Sequence, residues 1–112
     1  MSTATSGRRR EHLVRDFLAA RGFTPIMRAA ASKGAADLLH GHPVHGAVLV
    51  QVGTGNKTLS PADRERFCLA AELTCALPVL AQVIPTPGRP NTFRFWHVTR
   101  AVASTWTEWI PT

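Results

Sequence analysis

The stretch VLVQVGTGNKTLSPADRERFCLAAELTCALPVLAQVI, residues 48–84, decides the architecture of this chain. It opens on a run of strand-forming residues, passes through a glycine-rich turn, and ends on the nearly all-apolar PVLAQVI, which reads as a buried strand. Between them Ser60 is placed to cap a helix, with Pro61 in the first turn and Asp63 as the third residue; RERFCLAAELTCA then runs on to a stop near Pro78. A helix joining two strands of one sheet requires a crossover, so the flanking strands form a parallel pair. The fold class is α/β.

Working outward toward the amino end, RRREHLVRDFLAARG puts Leu13, Val14, Phe17 and Leu18 on one helical face, and Gly22 supplies a stop. This predicts a first helix over 7–21, with residues 1–6 as a flexible tail. FTPIMRAA (23–30), AADLLH (35–40) and GAVLVQV (46–52) read as three strands, with GHPVHG as a turn between the last two. Beyond residue 84, PTPGRPN is a loop and TFRFWHV (92–98) alternates like a half-exposed strand. The last segment, 99–112, reads as a short helix packing Val102, Trp106 and Trp109. The predicted order is α-β-β-β-α-β-β, a mixed five-stranded sheet flanked by helices in a single domain over 1–112.

The 112 residues suit one small domain, and 45% hydrophobic against 18% charged residues allows a real core. Thirteen Lys and Arg against seven Asp and Glu leave a formal charge of +6, which favours a polyanionic partner, nucleic acid above all. Cys68 and Cys75 fall in one helix, about 10 Å apart, so they read as buried structural thiols and not as a disulfide. No signal-peptide pattern or membrane-length apolar run is present, and the expectation is a cytoplasmic chain with no membrane partner.

GTGNKT after a strand suggests a phosphate-binding loop. The pattern fails, because its glycines would fall at Gln51 and Asn56, and the next helix starts at Ser60 and not at the lysine. Asp37 on the second strand and Gln51 on the third can instead bring side-chain oxygens together, joined by Glu11 from the first helix. Such a set suits Mg²⁺, a hard cation that fills its remaining sites with water and substrate phosphate. His40, His42 and His45 in HGHPVH read as a turn and not as a zinc site. No glycine elbow supports a Ser-His-Asp triad. Trp96, Trp106 and Trp109 read as core or subunit-interface residues.

Glu11, RAAASKGAAD (28–37) and VLVQV together resemble the archaeal-type Holliday junction resolvases and their phage relatives, within the PD-(D/E)XK nuclease superfamily. The resemblance covers residues 8–98 and implies a restriction-endonuclease-like core. It implies a glutamate at Glu11, an Arg-x-x-x-Ser-x-Gly-x-x-Asp element at Arg28, Ser32, Gly34 and Asp37, and metal held by Glu11, Asp37 and the position of Gln51. It also implies Mg²⁺ or Mn²⁺, in-line attack of water on a backbone phosphate, a place in DNA recombination, and a homodimer with two clefts on a four-way junction. Arg8, Arg9, Arg10, Arg28, Lys33 and Lys57 are then the candidate DNA contacts.

The chain departs from the family at its Glu-x-Lys, which here is Gln51-Val52-Gly53. Gln51 keeps a carbonyl oxygen but carries no charge, and Gly53 supplies nothing. Losing one such electrostatic donor typically costs ~10²–10³ in rate. Two lysines could compensate: Lys57, four residues on in the turn, and Lys33 beside Ser32. Three readings follow: a metal-dependent endonuclease on branched DNA, a catalytically inactive DNA-binding relative, or an interaction module that does not bind DNA. The expected catalytic set is Glu11, Ser32, Asp37, Gln51 and Lys57.

Overall fold

The computed structural model describes residues 3–28 and 37–111. In chain order these form α1 (Thr3–Ala19), β1 (Thr24–Arg28), β2 (Leu38–His42), β3 (Gly46–Thr54), α2 (Pro61–Leu73), β4 (Ala76–Thr86), β5 (Arg89–His97), a 3-10 turn (Ala103–Thr105) and β6 (Thr107–Glu108). The six strands lie side by side in that same order in one sheet. Only β3 and β4 are parallel, in a register running from Ala47↔Ala76 to Thr54↔Val83, and α2 is the crossover between them. The α/β class and the central parallel pair stand as the sequence predicts.

Alternation along β3 sends its side chains to two different cores. Val48 and Val50 pack with Val14 and Leu18 of α1, while Leu49 packs with Phe67, Cys68 and Ala71 of α2. A strand covered on both faces needs apolar residues at nearly every position, which explains the run that opened the reading. Ser60 caps α2 by accepting the Asp63 N–H at 3.2 Å, with Pro61 at its start. Gly22, at φ 87°, closes α1, and the Phe23 N–H returns to the Leu18 carbonyl at 3.1 Å.

Several boundaries move. α1 begins at Thr3, four residues before the expected start at Gly7. β2 runs on to His42, and β3 extends to Thr54, two residues into the expected turn. Cys75 is exposed, at φ 53° just past the end of α2, whereas Cys68 is buried and its thiol pKa is pushed up by that burial.

The largest correction is the tail, which forms a 3-10 turn and a two-residue strand on β5 in place of a helix, giving six strands and not five. The cause is where its tryptophans go. Trp106 enters the α2-side core and Trp109 packs against the α1-side core, so residues three apart must point to opposite faces of the sheet. A helix would put them on one face; extended chain separates them. Val102, expected to pack, is 56% exposed. Arg100 fixes the start of the tail to α2 through Glu65 at 2.6 Å and Glu72 at 2.6 and 3.0 Å. Among the described residues, no helix is long and apolar enough to cross a membrane.

Candidate functional site

The ladder between β2 and β3 stops at Leu38↔Val50. One residue earlier, the Asp37 N–H still reaches the Val50 carbonyl at 2.9 Å, and Asp37 Oδ2 accepts the Val52 N–H at 2.8 Å. The carboxylate thus serves as the next rung for an amide that β2 no longer pairs, and it sits where the two strands part. Gln51 lies between Val50 and Val52, half-buried, and alternation puts it on the same sheet face as Leu49, toward α2. Asp37 and Gln51 are therefore neighbours at one strand end.

Glu11 comes from the other side of the sheet. It lines a cavity of about 160 Å³ with His12, Arg15, Leu38 and His40, over the face that α1 covers. Leu38 is next in sequence to Asp37, so Glu11 flanks the strand end from the α1 face while Gln51 flanks it from the α2 face. His40 is fully buried there, and neither ring nitrogen has a hydrogen-bond partner among the described residues. Burial, and then the Arg15 charge, lower its pKa from the ordinary histidine value.

The turn after β3 holds the least expected feature. Gly53 is buried, and a Cβ placed on it would lie 2.4 Å from Lys57 Cγ, 2.5 Å from Lys57 Cβ and 3.0 Å from Lys57 Cδ. The Lys57 stem lies against the position from which a side chain at 53 would grow, on the α2 face with Gln51. The turn brings it there: the Lys57 N–H closes onto the Thr54 carbonyl at 3.0 Å, reversing the chain over the end of β3. Four residues of sequence become direct contact.

Gln82 stands beside Gly53 in the parallel register. Its Nε2 donates to the Lys57 carbonyl at 3.1 Å, and its Oε1 accepts the Trp96 indole N–H at 3.0 Å. Sequence reasoning passed over Gln82, although it is the lone polar residue within PVLAQVI and that alone marks it. Lys57, Thr58, Gln82, Trp96, Ser104 and Trp106 line an open cleft of about 260 Å³ beside this turn.

Of the basic candidates, Arg8 and Arg9 are exposed and Arg10 half-buried on α1, while Lys57 is half-buried; Arg28 ends β1. Ser32, Lys33 and Gly34 lie outside the described residues. Residues 43–45 make the turn between β2 and β3, and His42 Nδ1, at the end of β2, accepts the Val44 and His45 N–H groups at 3.0 and 3.2 Å; His40, read with them as part of the turn, lies within β2. Of the tryptophans read as core or subunit interface, Trp106 is buried and Trp96 and Trp109 are half-buried.

The donor chemistry at the strand end suits a hard divalent cation held loosely. Asp37 offers one anionic carboxylate with one oxygen already accepting the Val52 N–H, and Gln51 offers a neutral carbonyl. Mg²⁺ is commonly held by one or two carboxylates with water and substrate phosphate supplying the rest, and this set meets that minimum. Among the described residues, no three His, Cys, Asp or Glu side chains gather into a fuller cage.

A helix, three strands, a crossover helix and three further strands around a central parallel pair make a restriction-endonuclease-like fold. The chain is similar in structure to Archaeoglobus fulgidus Hjc, a Holliday junction resolvase from an archaeal hyperthermophile, at a TM-score of 0.62 and 22% identity, over 80% of this chain and 70% of that one. At that identity the likeness shows the fold. No protein-family model and no curated protein matches the chain.

Proposed function

We propose that this chain is a divalent-metal-dependent endonuclease acting on branched DNA, with Lys57 in the place left empty at Gly53. The observation that carries this reading is the Lys57 stem lying against Gly53, within 2.4 Å of where a Cβ would be. In the resolvases that the sequence resembles, the lysine stands two residues after the metal-binding glutamate, on the same face of the strand. Gln51 and Gly53 hold those two positions here, and a lysine is delivered to the second from the turn.

Each residue then has a task. Asp37 and Gln51 hold the metal from the end of the sheet, and Glu11 completes the set from the α1 face. The metal, when bound, neutralises charge developing on the scissile phosphate. The Lys57 ammonium orients the attacking water and faces the same phosphate oxygens, a donor typically worth ~10²–10³ in rate. Ser32 contributes from the segment between Arg28 and Asp37. Arg8, Arg9, Arg10, Arg28 and Lys33 meet backbone phosphates outside the cleaved bond, fixing register without reading sequence. A four-way junction presents two strands to cut, so a twofold pair of chains is the matching assembly. That pairing rests on the substrate's symmetry alone.

A second reading has one observation in its favour: Gln51 brings no negative charge, which weakens metal binding and favours a DNA-holding protein that does not cut. The deciding experiment incubates a labelled four-way junction with the wild type and with Asp37→Asn, in Mg²⁺ and separately in Mn²⁺, with binding measured in parallel across salt. The expected result is junction affinity that falls steeply with salt, and metal-dependent cuts that Asp37→Asn removes while binding persists. Binding without cuts in either metal would establish the second reading. No retention on DNA at low salt would reject both and leave an interaction module.

A further inference from the structure

We infer that Gln82 and Trp96 are positioning residues that hold Lys57 in place; the inference rests on the reading of Lys57 as the lysine of the site. A lysine in a glycine-rich turn has a mobile backbone and a long, rotamer-rich stem. Here the backbone is fixed on both sides. The Lys57 N–H bonds the Thr54 carbonyl at 3.0 Å, and the Lys57 carbonyl accepts Gln82 Nε2 at 3.1 Å.

The chemistry of the three groups fixes the direction of this chain of bonds. An indole N–H only donates and a backbone carbonyl only accepts, so the group between them must accept at one end and donate at the other. A carboxamide does both. With Trp96 Nε1 at 3.0 Å from Gln82 Oε1, the amide can turn only its NH₂ toward Lys57. Glutamate would set an anionic oxygen against the Lys57 carbonyl, and leucine would bridge neither group. Trp96 is steadied in turn by the Arg94 guanidinium, 4.7 Å from its ring centroid, and Arg94 forks onto Glu108 at 3.3 and 3.3 Å. The short β6 thereby reaches the active-site lysine through four side chains.

Position is what a displaced lysine lacks. A misplacement of about 1 Å at a reacting centre can cost ~10²-fold in rate. The clamp lets a turn residue, four positions on from β3's Gly53, stand as reproducibly as a side chain rooted in the strand. It also makes Gln82 unnecessary when the lysine comes from the strand itself.

The test has two arms on Gln82→Leu and Trp96→Phe. The first is NMR relaxation of the Lys57 backbone amide, which needs no cleavage. In the wild type Lys57 is expected to be as ordered as β3, and in both variants as mobile as Gly55 and Asn56. The second is single-turnover cleavage of a four-way junction, where Gln82→Leu is expected to lower the rate by about 10- to 10²-fold with junction affinity changed less than twofold. In a Lys57→Gly, Gly53→Lys background, Gln82→Leu is expected to cost nothing further. Unchanged Lys57 order in both variants overturns the inference, as does an equal loss of rate in the swapped background, which would make Gln82 a general support of the sheet. A wild type that does not cut, with Lys57 order lost in the variants, would strike the proposed activity and leave the clamp standing.

Discussion

Gly53→Ala, made with and without Lys57→Gly, tests the contact on which the account turns. Gly53 sits in β3 with no positive φ, so its backbone accepts an alanine without strain. The added Cβ meets Lys57 Cγ at 2.4 Å and Lys57 Cβ at 2.5 Å, where carbon atoms ordinarily rest about 3.5–4.0 Å apart. Because one of the two is the root of the side chain, rotamer change alone does not clear the clash, and the turn must move. Overpacking of this kind costs about 1–3 kcal/mol. Replacing glycine by alanine in a compatible conformation returns about 0.4–1 kcal/mol through the unfolded chain. The expected net loss in the wild type is therefore roughly 0–2.6 kcal/mol, centred near 1.3 kcal/mol. With glycine at 57 the obstruction is gone, and the same substitution should stabilise by about 0.4–1 kcal/mol. The sign reverses. Urea unfolding of the four proteins gives the coupling directly. An equal effect of Gly53→Ala in both backgrounds would refute the placement of the Lys57 stem, and with it the case for a substitute lysine.

Other expectations are as specific. Asp37→Ala leaves the Val52 N–H without its carboxylate partner, and should cost about 1–3 kcal/mol in urea unfolding while abolishing metal-dependent cleavage. His40 has its pKa lowered in the folded state, so the unfolded chain takes up the proton first as the pH falls. Stability is therefore full above the unfolded value of about 6.5 and is lost progressively below it, toward the lowered folded value. Melting curves from pH 8 to pH 5 should show that fall in the wild type and a smaller one in His40→Leu, the remaining histidines being common to both. Gln51→Glu adds a formal charge beside Asp37, and should lower the Mg²⁺ concentration needed for half-maximal cleavage; an unchanged metal dependence would remove Gln51 from the metal set.

The crossover was legible because its signals are local: Ser60, Pro61 and Asp63 fix a helix start, and the runs on either side are too apolar to lie anywhere but the sheet centre. The tail was not, because Trp106 and Trp109 stand at a spacing that a helix and an extended chain both allow, and only the position of the two cores chooses between them. Asp37 was visible as an acid in an apolar stretch, though its bond to Val52 depends on where β2 stops pairing, which no periodicity reports. The approach of Lys57 to Gly53 was open in the sequence only as an idea. It depends on a reverse turn at Thr54, and on Gln82 being carried beside Gly53 by a parallel register that forms only once α2 has crossed over. Glu11 was rightly placed on the first helix, but the sequence did not show that it faces the opposite side of the sheet from Gln51. The motif residues Ser32, Lys33 and Gly34 lie outside the described residues and stay as the sequence reading left them.

The most direct measurement is single-turnover cleavage of one labelled four-way junction, at saturating protein and metal, by the wild type, Lys57→Gly, and Lys57→Gly with Gly53→Lys. Glycine at 57 removes both the Cβ and the stem that block position 53, so the double variant moves the lysine from the turn back to the strand. The wild type is expected to cut, Lys57→Gly to be slower by about 10²-fold or more with binding retained, and the double variant to recover most of the loss. Cleavage indifferent to Lys57, or a junction that all three proteins bind and none cuts, would contradict that expectation.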